Sequence, residues 1–132
     1  MLRIIAAIAL VLLAVAADSA SAQYPERALT ILTGYPPGGM VDITARALSE
    51  GIKKKYPKGV AIVSRPGGGG SLALAELVQT KPDGYTIILA PLSTMVIHPQ
   101  INDLPYKTPD DYEPIINVVA FSSLLVVKPD SP

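Results

Sequence analysis

Two glycine-rich segments carry the residues of this sequence that are best suited to binding chemistry. Gly38 and Gly39 follow two prolines in "YPPGG", and the segment "RPGGGG" ends at Gly70. Glycine permits positive φ angles and a close approach of ligand to backbone, and proline stiffens a loop before it binds. Each segment stands between an apolar run and a helix start, where unpaired N–H groups and the helix dipole attract anions. The pattern therefore predicts an anion-binding cradle.

Each of these features also has a purely structural interpretation. Taken alone, "PPGG" is typical of a tight turn and "GGGG" of a flexible loop. Asp42 suits the first turn of a helix because of the helix dipole, and contact with a ligand amine or a water is the alternative. Ser93 and Thr94 either donate hydrogen bonds to a carboxylate or cap the next turn, and Arg65 fits a surface charge. The occurrence of two such loops in one sheet favours the functional interpretation.

Two nucleotide-binding motifs are incomplete in this chain. Gly34 and Gly39 have the separation of a P-loop, but "MV" stands where lysine and serine or threonine are needed. Gly68, Gly70 and Ala73 satisfy the dinucleotide fingerprint in its G/A form. That fingerprint needs an acidic residue at the end of the next strand, and the strand here ends in "LAPLST". A phosphate or nucleotide site is therefore the weaker alternative.

Catalysis has little support in the sequence. The single histidine, His98, lies between isoleucine and proline and fits a loop or packing residue better than a base. The chain has no cysteine, no G-x-S-x-G elbow and no metal-ligand cluster. We therefore expect a protein that is not an enzyme, with no catalytic residue, no metal and no cofactor.

Hydrophobic patterning predicts an α/β fold with a parallel sheet. Residues 28–33, 60–64 and 85–90 form short apolar runs typical of buried strands. Between them lie two helical patterns, one with the face Val41, Ala45, Leu48 and Ile52, the other N-capped by Ser71. Parallel strands place their outgoing loops along one edge, where ligands bind. Further on, 105–114 is predicted to be an extended surface segment and 115–127 one long or two short strands.

The N-terminus has the pattern of a cleavable signal peptide, residues 1–22. Arg3 precedes an apolar run of about 14 residues, too short for the ~20 residues that span a bilayer. The "ASA" that ends at Ala22 predicts cleavage before Gln23. Without cysteine there is neither a disulfide nor a lipid anchor at this end. The zero formal charge gives no basic surplus for nucleic acid. We expect a soluble, periplasmic product.

Four segments in the same order resemble the Bug-type receptors of tripartite tricarboxylate transporters. They are "YPERALTILTGYPPGGMVDITARALSEGI", "VSRPGGGGSLALAEL", "KPDGYTIILAPLSTMVIHP" and "LPYKTPDDYEPIINVVAFSSLLVVKP". The resemblance implies a two-lobed, periplasmic-binding-protein-like (type II) α/β fold that closes on a small organic carboxylate. It also implies membrane carrier subunits of a tripartite transporter as partners, and we expect the receptor to act as a monomer.

The resemblance also implies which residues meet the ligand, mostly through backbone N–H groups and ordered waters. By position these are Tyr35, Pro37, Gly38, Gly39, Asp42, Gly68, Gly69, Gly70, Ser71, Ser93 and Thr94. The chain departs from the family pattern at three places. Tyr35 replaces the usual phenylalanine, "SLAL" from Ser71 replaces a stretch with a further glycine, and His98 replaces asparagine before the proline.

Family members are longer than this chain, so the resemblance implies an incomplete, N-terminal part of a receptor. Residues 23–114 would be the first α/β lobe in part, and 115–132 a crossover strand toward a second lobe. Two other interpretations stay open: an exported Rossmann-like α/β domain that binds phosphate or a nucleotide, and a fragment without binding function. The sequence leaves the identity of the carboxylate open, whether a dicarboxylate, a tricarboxylate or an aromatic acid.

The first testable prediction concerns the cleavage site of the signal peptide. N-terminal sequencing of the exported protein should begin at Gln23, because signal peptidase cleaves after the small-x-small pattern that ends at Ala22. A mature protein that begins at Met1 would contradict export by cleavage.

Overall fold

The computed structural model describes residues 24–107, 110–120, 124 and 126–131. The predicted signal peptide and its cleavage site lie outside the described residues. The elements are β1 (Leu29–Thr33), α1 (Met40–Lys55), β2 (Val60–Ser64), α2 (Ser71–Gln79), β3 (Thr86–Leu89) and α3 (His98–Ile101). A single turn, Gly68–Gly70, leads into α2, and a wide π-helical turn, Ser93–Ile97, leads into α3. No helix of the described ranges has the length and apolar character needed to cross a membrane.

The three strands form one parallel sheet in the order β2-β1-β3. Thr33, the last residue of β1, pairs with Ser64 at the end of β2 and with Leu89 at the end of β3. Because the three strands end in one row, the loops that follow them leave the sheet side by side. The predicted α/β fold with a parallel sheet and a common loop edge is confirmed.

Helix α1 packs on the sheet through small residues rather than through its largest apolar ones. Asp42, Ala45 and Ser49 are buried, whereas Val41, Leu48 and Ile52 of the predicted apolar face are half-buried. Small side chains let the helix approach the sheet closely, and the larger ones then flank the contact. The core is completed by Ile31, Leu32, Ala73 and Leu74, each no more than 2% exposed.

Ser71 does not cap α2, contrary to the prediction from the sequence. The N-cap is Gly70, whose φ of 94° is left-handed, and no side chain caps the helix. Ser71 is the first helical residue, and its hydroxyl instead lies 2.9 Å from His98 Nδ1. Because Gly70 of the glycine turn takes the N-cap position, the serine falls one residue later, inside the helix. Its side chain therefore reaches His98 instead of a backbone N–H group of the first turn.

The predicted strand within 115–127 is not present in the described part of that segment. Residues 115–120, 124, 126 and 127 form neither helix nor strand, and large apolar side chains such as Ile115, Ile116 and Leu124 are exposed. A strand needs a backbone partner, and within the described residues the sheet consists of three strands with no pairing to this segment. β-propensity alone therefore gave the wrong prediction here.

The described residues of the preceding segment, 105–114, lie mostly at the surface as predicted, but two of its tyrosines are turned inward. Tyr106 is 1% exposed, and its hydroxyl donates to the carbonyl oxygen of Thr94 at 3.0 Å. The Tyr112 hydroxyl donates to the Met95 carbonyl at 2.8 Å. Two tyrosines thus anchor this polar, proline-rich segment under the π-helical turn, since each phenol supplies both an apolar ring and a hydrogen-bond donor.

The second prediction concerns the close approach of the loop at Gly34 to the loop at Gly70. A Cβ atom added to buried Gly34 would overlap the Cα atom of Gly70. Gly34→Ala should lower the free energy of unfolding by about 1–3 kcal/mol because backbone would have to move. The measurement is urea unfolding. The matched control is Gly51→Ala in α1, where an added Cβ atom meets nothing within 4 Å. This variant should raise the free energy of unfolding by about 0.5–1 kcal/mol because alanine favours the helix over glycine. A Gly34→Ala variant as stable as the parent would contradict the close packing.

Candidate functional site

The loops after the three strands meet at one carbonyl group. The Tyr35 hydroxyl, in the loop after β1, donates to the Gly69 carbonyl oxygen at 2.9 Å. The Thr94 hydroxyl, in the turn after β3, donates to the same oxygen at 2.7 Å. Gly69 itself lies in the loop after β2. The structure therefore brings together residues of all three loops that the sequence selected.

The second glycine loop has positive φ angles throughout. The φ angles of Gly67, Gly68, Gly69 and Gly70 are 143°, 56°, 62° and 94°. Residues with a Cβ atom adopt such angles at a cost, so a run of four requires glycine. The Gly70 N–H donates to the Gly67 carbonyl at 2.9 Å. The N–H groups of Gly68 and Gly69 have no acceptor within the described residues, so they are available to a ligand.

The first glycine loop presents the N-terminus of α1. Gly39 is its N-cap with an ordinary φ of −77°, and no side chain caps the helix. In the part of the chain that the structure describes, the N–H groups of Met40 and Val41 have no acceptor. A Cβ atom on Gly38 would meet nothing within 4 Å, and one on Gly39 only the Pro36 carbonyl oxygen at 3.5 Å. These free N–H groups at a helix N-terminus suit an anion.

Asp42 holds the first loop rather than pointing away from the protein. Its Oδ2 atom accepts from the Gly38 N–H at 2.9 Å and from Arg46 Nε at 2.8 Å. Arg46 Nη2 donates to Oδ1 at 3.1 Å. The hydrogen bonds from Arg46 and then from Gly38 hold the pKa of the Asp42 carboxyl below its ordinary value of 3.8. The same pair raises the pKa of the Arg46 guanidinium. The carboxylate is thus compensated, which lessens its repulsion of an anion at the same helix end.

The two hydroxyls of the third loop have different surroundings. Thr94 is fully buried, and its hydroxyl donates its hydrogen bond to the Gly69 carbonyl oxygen. Ser93 is half-buried, and its hydroxyl has no partner within the described residues. The geometry therefore favours a positioning role for Thr94 and leaves Ser93 as the available donor.

His98 is the site neighbour that sequence reasoning missed. Its ring lies against Gly69, where an added Cβ atom would overlap His98 Cε1. Its Nδ1 lies 2.9 Å from Ser71 Oγ. The contact joins residues 27 positions apart, so no local spacing could have revealed it. The one available signal was that His98 departs from the asparagine of the resembling family.

The positive side chains near the loops are engaged in ion pairs. Arg46 is paired with Asp42 as above, and Arg65 Nε lies 2.8 Å from Glu76 Oε2. Over the described ranges no group of three or more histidine, cysteine or carboxylate side chains could hold a metal ion. Attraction for an anion at this edge therefore comes from backbone N–H groups and helix dipoles.

A parallel α/β lobe with a glycine-rich loop edge is compatible with one lobe of a periplasmic binding protein, and similarity to known proteins identifies the family. Residues 44–132 match the family described as TctC, Tripartite tricarboxylate transporter family receptor. The chain therefore belongs to this family of solute-binding receptors. Receptors of the family are periplasmic and work with tripartite transporters.

Among relatives, a UPF0065 protein of Bordetella bronchiseptica is 38% identical over 111 residues, 83% of this chain and 33% of that protein. Protein BugT of Bordetella pertussis is 31% identical over 120 residues, 87% of this chain and 36% of that protein. This chain spans 27% to 40% of the length of the relatives it matches.

Solved structures have the same fold. One described as a periplasmic transporter is 32% identical with a TM-score of 0.67, covering 71% of this chain and 32% of that chain. MatC of Rhodopseudomonas palustris, solved with bound malate, is 28% identical with a TM-score of 0.60, covering 64% of this chain and 29% of that chain.

The third prediction concerns how the ion pair of Asp42 with Arg46 makes stability depend on pH. Because its folded pKa is lowered, Asp42 contributes stability above its unfolded pKa, near 3.8, and this contribution disappears as pH falls through the lower folded value. Asp42→Asn should therefore unfold at lower urea than the parent at pH 7, and the difference should shrink once the pH is below about 3.8. The control is Asp110→Asn, an exposed carboxylate. A difference that is constant with pH would contradict this assignment.

Proposed function

We propose that this chain is part of an extracytoplasmic solute-binding receptor that captures a small organic carboxylate for a tripartite tricarboxylate-type transporter. The observation that carries the proposal is the set of free N–H groups at one sheet edge: Met40 and Val41 on one loop, Gly68 and Gly69 on the next. A carboxylate is a planar anion that accepts several such hydrogen bonds at once. The ligand-binding residues are those selected from the sequence, with Thr94 and Asp42 positioning the loops.

Two further points support the carboxylate over a phosphate or a nucleotide, and another supports a receptor over an enzyme. Triphosphate sites use a lysine beside the glycine loop, and the loops here contain none. Family membership favours a receptor over an enzyme. The related MatC was solved with malate, which makes a dicarboxylate the first acid to test.

The remaining parts of the proposal follow from the sequence pattern and the family. The receptor is exported by its cleavable signal peptide, acts without enzymatic chemistry, and delivers its ligand as a monomer to the membrane carrier subunits. Residues 23–114 contribute the first lobe and 115–132 the crossover toward a second.

The test measures ligand binding by the purified full chain, first checking for a cooperative thermal melt. Malate, citrate, benzoate, inorganic phosphate and AMP are then added in turn. A ligand that binds the folded state raises the melting temperature by mass action. A rise with one class of carboxylate supports the proposal. A rise with phosphate or AMP alone supports the nucleotide alternative, and a cooperative melt that no acid raises rejects carboxylate capture.

The fourth prediction concerns Gly39→Leu, a variant that should lose ligand binding while the protein stays folded. The φ of Gly39 suits any residue and a Cβ has space, so the variant should lose at most about 1 kcal/mol of stability at the N-cap. Its side chain would cover the free N–H groups of α1 and should abolish the thermal response to the acid. The control Gly51→Ala should keep that response. Unchanged affinity of Gly39→Leu would contradict the cradle.

A further inference from the structure

We infer that His98 is a ligand-site residue whose positive charge strengthens the binding of multiply charged carboxylates. The inference rests on the proposed function, because it concerns the same loop edge. It adds a side chain that gains and loses charge to a cradle otherwise built from backbone groups. The starting observation is the contact of the imidazole with two cradle residues, Gly69 and Ser71.

The orientation of the ring leaves one nitrogen available. Nδ1 is engaged with the Ser71 hydroxyl at 2.9 Å, which fixes the ring. The Cε1–Nε2 edge lies along Gly69, since a Cβ built there would stand 3.0 Å from Nε2. Within the described residues Nε2 has no hydrogen-bond partner. This nitrogen therefore lies beside the turn whose Gly68 and Gly69 N–H groups are free.

The groups that face His98 leave it as the variable charge of this edge. The turn Gly68–Gly70 and the turn Ser93–Ile97 carry no titratable side chain, and α3 carries His98 alone. Helix α2 carries Glu76, which is paired with Arg65. The Tyr35 phenol, on Gly69, donates to its carbonyl, and Asp103 follows the end of α3. Imidazole is the side chain that normally changes charge between pH 5 and 8.

A charge at this position discriminates among ligands by their charge. A dicarboxylate or tricarboxylate gains more from a cation beside the glycine turn than a monocarboxylate does. Binding and protonation are linked reciprocally, so protonation of His98 favours the acid and the acid favours protonated His98. The expected size is about tenfold in Kd for a dicarboxylate between pH 8 and pH 6, with a smaller change for a monocarboxylate.

Calorimetry on the full chain tests this with malate and benzoate at pH 6 and pH 8. The parent should bind malate about tenfold more tightly at pH 6. His98→Asn should bind with nearly the same Kd at both pH values. The double variant His98→Asn/Gln100→His moves the imidazole to an exposed position on the same short helix and should also be independent of pH. Equal malate affinity of the parent at both pH values overturns the inference and leaves the proposed function standing.

The chain has a single histidine, so its NMR signal needs no assignment. Malate added to the parent at constant pH near 7 should move the His98 Cε1–H resonance toward its protonated position, which tests the inference without any variant. Bound malate with an unmoved resonance overturns it. Failure of any acid to bind at either pH rejects the proposed function itself, and the inference with it.

Discussion

The carbonyl oxygen of Gly69 accepts hydrogen bonds from two hydroxyl groups, and the rest of the loop edge depends on this one acceptor. Tyr35 and Thr94 reach it from the loops that follow the other two strands. The two hydroxyls thus tie the glycine turn to the other two loops, while the N–H groups of Gly68 and Gly69 have no acceptor within the described residues. Because the Thr94 carbonyl is held in turn by Tyr106, the edge is connected to a segment well beyond the sheet.

The pattern of local residues was enough to predict most of the scaffold. Three strands, two helices and the glycine loops between them follow from short-range periodicity and from the restricted conformations of proline and glycine. The common loop edge then follows from parallel topology. The contacts that finish the site are not local: Tyr35 to Gly69 and Ser71 to His98 join different loops. Sequence could therefore select the loops but not assign positioning and ligand-facing roles within them.

The two incorrect predictions have different physical causes. Ser71 has the chemistry of an N-cap, but the four positive-φ glycines before it place a glycine at that position. The apolar residues after Pro114 have strand propensity, but the segment has no backbone partner in the described structure. In both cases intrinsic preference was overridden by the geometry of neighbouring chain, the common reason that propensity fails.

The contact of Gly34 with Gly70 restricts how a site of this kind can change its ligand preference. A Cβ atom on Gly34 would overlap Gly70, one on Gly70 would crowd Thr94 and Tyr35, and the turn from Gly67 to Gly70 disfavours a side chain by conformation. Mutation therefore has few acceptable outcomes at the centre of the cradle. Within this lobe, the rim, at positions such as Ser93 and His98, is where a substitution meets fewer backbone constraints. A sterically constrained centre with a less constrained rim lets single substitutions adjust ligand preference without changing the scaffold.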